Sequence, residues 1–157
     1  MRNWEKFNEG VVEEFRANGG MVKGRSPLLL LTTIGARTGL PRIAPLVYAV
    51  HGANIVLIAS KAGEPTNPDW FHNLIANPDV IVELGTDRFA ARARVAEGDE
   101  RNRLFTAIVK AMYRFGNYQR KTNRIIPVVV LERSSASSTW PSDPFPPVAR
   151  LQLDVDP

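Results

Sequence analysis

Leu28-Leu29-Leu30-Leu31-Thr32-Thr33-Ile34, Gly35-Ala36-Arg37-Thr38-Gly39 and Pro41-Arg42-Ile43-Ala44-Pro45-Leu46-Val47-Tyr48-Ala49-Val50 decide the fold class of this chain. Two apolar runs of strand length flank a glycine-bounded break, and such runs read as strands joined by a hairpin. After the His51-Gly52-Ala53-Asn54 turn comes a third run, Ile55-Val56-Leu57-Ile58-Ala59-Ser60, closed by Lys61-Ala62-Gly63. Asn67-Pro68-Asp69-Trp70 then opens a short helix that reaches Ala76, with Pro68 near its first turn and Pro78 stopping it. The polar residues gather at strand ends: Arg37 and Arg42 flank the first turn, and Ser60-Lys61 ends the third strand. Cations, small residues and an aromatic side chain at strand ends suggest a pocket for a flat, anionic ligand.

Working outward, residues 2–18 place Trp4, Phe7, Val11 and Phe15 at helical spacing with glutamates around the turn. This predicts an amphipathic helix packed on the domain, ended at Asn18-Gly19-Gly20 by a glycine cap. A lid or a peripheral membrane contact is the less favoured reading, because a membrane-surface helix wants a basic polar face. Asp79 to Leu84 is the next strand, and Arg88 to Val95 alternates Phe89, Ala91, Ala93 and Val95 against Arg88, Arg92 and Arg94. A longer helix is predicted from Asp99, its N-cap, to about Lys121. Arg124 to Arg133 is a last strand, in which Pro127 argues for an edge or a bulge. Six mainly antiparallel strands and three helices make an α+β domain over residues 1–133, and a small barrel buries the apolar runs best. Residues 134–157, rich in Ser and Pro, read as an extended tail.

The 157 residues carry no cysteine and two histidines, which excludes a disulfide framework and a thiolate metal site, and no metal centre is expected. No apolar stretch has the length of a membrane span and no signal peptide is expected, so a cytoplasmic setting is. The net charge of +4 favours anionic partners, but the basic residues form no Lys/Arg block, and nucleic acid is not expected.

Phosphate-loop signatures are absent, and neither a Ser-His-Asp set nor paired acids can be argued. What remains is Arg37, Arg42 and Lys61. Taken singly they are solvated hairpin-end charges, as Trp70 taken singly is core. Together they are more specific: arginine forks suit phosphate and carboxylate, small residues let backbone N–H groups approach an anion, and an indole offers a stacking face.

Gly35-Ala36-Arg37-Thr38-Gly39-Leu40-Pro41-Arg42, Pro45-Leu46, Ala59-Ser60-Lys61-Ala62-Gly63, Asn67-Pro68-Asp69-Trp70, Asn73-Leu74 and Ala76-Asn77-Pro78 resemble the deazaflavin-dependent nitroreductase family. The similarity continues through Tyr113, Tyr118 and Arg124-Ile125-Ile126-Pro127-Val128-Val129-Val130, covering roughly Trp4 to Glu132. It implies a split β-barrel and the 8-hydroxy-5-deazaflavin coenzyme F-420, whose tail carries phosphate and several glutamates. On that pattern Arg37, Arg42 and Lys61 hold the tail, Ala59 and Ser60 lie near the ring, and Trp70 and Asn73 lie beside it. Tyr113 and Tyr118 line the substrate side, and Tyr118, Tyr113 and Ser60 are the candidate proton donors. The activity implied is hydride transfer to a quinone, enone or nitro-type electrophile. A non-catalytic deazaflavin or fatty-acyl carrier and a flavin-mononucleotide oxidase are the alternatives. Arg37 stands where a lysine is common in the family, and Ala62 where a second glycine is common. The extra tyrosine of nitroreductase-like members, near Phe115-Gly116, is missing.

Overall fold

Tyr48 is the corner on which the sheet turns. The computed structural model describes residues 4–24 and 27–134, so the expected tail lies outside the described residues. Among them are the strands β1 (Leu28–Ile34), β2 (Pro41–Val47), β3 (Ala49–His51), β4 (Asn54–Ile58), β5 (Asp79–Leu84), β6 (Asp87–Val95) and β7 (Val128–Arg133). They form one sheet in the order β2-β1-β5-β6-β7-β4-β3, with every neighbouring pair antiparallel. β2 and β3 stand at opposite ends of that order, yet only Tyr48 separates them in the chain. The sheet must therefore curl until its two ends meet, which makes the barrel. The run Pro41 to Val50, expected as one strand, is two, because its first part pairs with β1 and its second with β4. The count rises from six strands to seven for that reason.

Alternation decides which residues fill the barrel. Leu29 and Leu31 of β1, Val80, Val82 and Leu84 of β5, Phe89 and Ala91 of β6, and Val129 and Leu131 of β7 make one buried cluster. Full burial of such a side chain contributes about 1.5–3 kcal/mol. Helix α1 (Trp4–Ala17) lies against β2, with Val11 and Phe15 buried. The Arg16 Nε and Nη2 atoms donate to the two Glu83 carboxylate oxygens of β5 at 3.0 and 2.8 Å. The packed reading of this helix thus holds for its second half, while the side chains of Trp4 and Phe7 lie outside those described. The chain leaves α1 through Gly20, whose amide donates to the Phe15 carbonyl at 2.7 Å. A Cβ on Gly20 would stand 2.5 Å from the Gly85 Cα, so glycine alone allows this close approach.

Helix α2 (Asp69–Ala76) packs Leu74, Trp70 and Phe71 onto the barrel cluster. The expected helix from Asp99 to Lys121 is instead two, α3 (Gly98–Ala111) and α4 (Arg114–Lys121). Asp99 is not the N-cap: Glu97 holds that position, without a side-chain capping bond. Met112, at φ −140° and ψ 84°, leaves the helical region and breaks the run. The corner closes because Gly116 has no side chain, and a Cβ there would sit 3.1 Å from a Val109 methyl. Leu104, Ala107 and Ile108 of α3 and Phe115 of α4 cover the opposite face of the sheet, over Ala49, Val56, Val128 and Val130. Pro127 creates neither an edge nor a bulge. It precedes β7, which is an interior strand, and its carbonyl accepts from the Ala59 amide at 3.0 Å.

Candidate functional site

A cleft of about 530 Å³ opens between the end of β2, the turn after β4, the start of α2 and helix α4. Leu46 and Val47 form its apolar floor, Ser60, Lys61 and Ala62 one wall, and Trp70, Phe115 and Tyr118 supply aromatic surface. Arg114 lines it as well.

The wall at Ser60 is unusual backbone. Ser60 is right-handed at φ −80° and ψ −38°. Lys61, Ala62 and Gly63 then follow at φ +47°, +54° and +82°. A non-glycine residue in the left-handed region costs roughly 1–2 kcal/mol, and this short 3₁₀ turn holds two of them. A right-handed residue followed by a left-handed one turns successive N–H groups toward one side, which makes a concavity suited to an anion. Neither the Lys61 nor the Ala62 amide donates a hydrogen bond among the described residues. The turn is held from behind. A Cβ on Gly63 would lie 2.8 Å from the Tyr118 carbonyl oxygen, and Lys121 Nζ donates to the Ala62 carbonyl at 3.2 Å. Arg124 donates to the carbonyls of Ala59, Ser60 and Glu64 and to Asn67 Oδ1. Burial pushes the Arg124 guanidinium below its usual value.

The other candidate residues fall into three groups. Ser60, Lys61, Trp70 and Tyr118 meet in the cleft. Lys61 is exposed, its Nζ 3.2 Å from Thr66 Oγ1. Tyr118 packs edge-on against Phe115, ring centroids 5.7 Å apart. Arg37 and Arg42 are exposed beyond the cleft, on the β1–β2 hairpin. Arg42 is three residues along β2 from Pro45, which lines the cleft, and at strand rise that is about 10 Å. Asn73, Ala59 and Tyr113 do not line the cleft. Asn73 is buried, and its side chain accepts from the Ala36 amide at 2.9 Å and donates to Thr33 Oγ1 at 3.1 Å. It thereby ties the loop that carries Arg37 to α2. Ala59 is buried behind the wall, and Tyr113, at the α3–α4 corner, is 77% exposed. Tyr118 lies on α4, beyond the break at Met112-Tyr113.

Arg124 stood in the family-like stretch without a role of its own, and Arg114 was not picked out by the residue pattern. Arg124 contacts mostly backbone carbonyls, which leave no mark in a sequence, and Arg114 reads as an ordinary helix charge.

A family model described as F420H(2)-dependent quinone reductase matches residues 4–133. The chain belongs to that family. A quinone reductase of the same description from Mycobacterium tuberculosis is 42% identical over 118 residues, covering 73% of this chain and 79% of the relative. A solved reductase dependent on the same reduced coenzyme superposes with a TM-score of 0.62 at 38% identity, over 68% of this chain and 94% of its own. A second solved structure, a domain-swapped dimer, gives 0.65 at 34% identity, over 83% and 98%. As a member of this family the chain is a deazaflavin-dependent oxidoreductase on a split barrel, and F-420 is its coenzyme.

The residues present fit that coenzyme. Its flat ring calls for aromatic surface beside an apolar floor, which Trp70, Leu46 and Val47 offer. Its phosphate calls for converging donors, which the turn at Ser60-Lys61-Ala62 offers. Its polyglutamate tail calls for cations farther along, which Arg42 and Arg37 offer.

Proposed function

We propose that this chain reduces a quinone with the reduced deazaflavin coenzyme, and that the cleft beside Ser60-Lys61-Ala62 is where the two meet. When bound, the coenzyme supplies the hydride. The protein binds, orients and sets the electrostatics. The amides of Ser60, Lys61 and Ala62 and the Lys61 ammonium hold the phosphate, and Arg42 and Arg37 hold the carboxylates of the tail. Trp70 flanks the ring. Leu46, Val47, Phe115 and Tyr118 give the quinone apolar and aromatic surface.

Hydride addition to a quinone leaves negative charge on oxygen, and a donor at that oxygen lowers the barrier. Tyr118 Oη is the donor in this reading, because a phenolic hydroxyl is a hydrogen-bond donor and Tyr118 lines the cleft. Ser60 is the second candidate there, and the exposed Tyr113 is set aside. Enones and nitro compounds would need the same oxygen-facing donor, and they form the wider acceptor class.

The single observation that carries the proposal is the left-handed Lys61-Ala62 turn in the cleft wall, whose two amides have no partner among the described residues, beside aromatic and apolar side chains. A flavin-mononucleotide oxidase is less well supported, since its one phosphate would leave Arg42, about 10 Å farther along β2, and Arg37, on the turn before that strand, without an anion. The test is a titration with coenzyme F-420 and flavin mononucleotide at two salt concentrations. Tighter F-420 binding that weakens as salt rises supports the reading, since exposed charges are screened. Equal affinities, or indifference to salt, refute it.

A further inference from the structure

We infer that Arg124 is a positioning residue for the coenzyme's phosphate: it fixes which way the peptide groups after β4 point. This role rests on the phosphate site proposed above. Arg124 Nη1 donates to the Ala59 carbonyl at 3.3 Å and to Asn67 Oδ1 at 2.7 Å. Its Nη2 donates to the Ser60 carbonyl at 2.7 Å, and its Nε to the Glu64 carbonyl at 2.9 Å. One rigid, planar fork thus grips both ends of the left-handed turn and its following loop.

The consequence follows from peptide geometry. Every described peptide bond is trans, so each carbonyl points opposite to the N–H of the next residue. Holding the Ala59 and Ser60 carbonyls toward Arg124 turns the Ser60 and Lys61 N–H groups away from it. Ser60, Lys61 and Ala62 line the cleft and Arg124 is not among its lining residues, and we infer that the side of these peptides away from Arg124 is the cleft side. In this role the guanidinium does not itself contact the coenzyme. It spends its donors on carbonyls and so aims the opposite ends of those peptides at the anion. A lysine in its place keeps a charge but has a single nitrogen on a flexible stem, which cannot reproduce a planar fork.

The test compares two probes, the complete coenzyme and the deazaflavin nucleoside that lacks the phosphate-bearing tail, on wild type and on Arg124→Lys. Wild type binds the complete coenzyme more tightly. Arg124→Lys weakens complete-coenzyme binding by about tenfold, the scale of a charge-assisted hydrogen bond, and leaves the tailless nucleoside unaffected. If both probes weaken in parallel, Arg124 supports the fold only, and the inference is overturned. It is equally overturned if neither changes. Should Arg124→Lys not fold, Asn67→Ala removes one acceptor of the fork and shows the same tail-selective loss at smaller size. A parallel loss or no loss in that variant overturns the inference. A wild type that does not prefer the complete coenzyme refutes the phosphate site itself, which separates the two failures.

Discussion

Replacing Ala62 by glycine should stabilise this protein, although glycine ordinarily weakens a fold. Ala62 sits at φ +54° and ψ +28°. That conformation costs an alanine roughly 1–2 kcal/mol and a glycine almost nothing. Against the relief stands the added freedom of the unfolded chain, about 0.4–1 kcal/mol for an alanine-to-glycine change. The difference leaves a net gain of about 0.5–1 kcal/mol, or a rise of a few degrees in Tm for a domain of this size. Thermal and urea denaturation read it directly, with Ala107→Gly inside α3 as the control. There the sign is opposite, because glycine in a helix costs about 1 kcal/mol. If Ala62→Gly destabilises as much as the control, the turn is not strained at this residue, and the account of the cleft wall is wrong.

Tyr118→Phe should lower kcat by about 10²-fold with coenzyme affinity unchanged, the low end of general-acid effects. Tyr113→Phe, on an exposed ring outside the cleft, should be silent in the same steady-state assay. Arg42→Ala should weaken F-420 binding by roughly 0.5–1 kcal/mol, as befits an exposed charge. Titrations at low and high salt should show that loss fading as salt rises. Arg16→Met should destabilise by roughly 1–2 kcal/mol in urea unfolding, because it strands the largely buried Glu83 carboxylate. Glu83→Gln in the same background should restore part of that loss.

The strands were legible because their apolar runs are long and their punctuation is explicit. The alternation of Phe89, Ala91 and Ala93 against Arg88, Arg92 and Arg94 gave the buried face of β6 directly. The break at Tyr48 was not legible, since nothing in Leu46-Val47-Tyr48-Ala49-Val50 interrupts the apolar run. Pairing partners divide it, and those lie far away in sequence. The break at Met112-Tyr113 was hidden in the same way, because the aromatic residues beyond it continue the helical pattern. At the candidate site the sequence showed which residue types were present but not what they were committed to. Asn73 reads as a ring neighbour until its amide is seen bridging Ala36 and Thr33. Ala62 reads as a missing glycine, and only its positive φ turns that substitution into strain.

Anaerobic single-turnover mixing shows whether the cleft brings reduced coenzyme and quinone together. Protein loaded with reduced F-420 is mixed with menadione, and the return of the oxidised deazaflavin absorbance is followed. Reoxidation should be far faster than in a protein-free mixture, slowed in Tyr118→Phe and not in Tyr113→Phe. Tight coenzyme binding with reoxidation no faster than the protein-free control would contradict it, and would mark the chain as a carrier of its coenzyme.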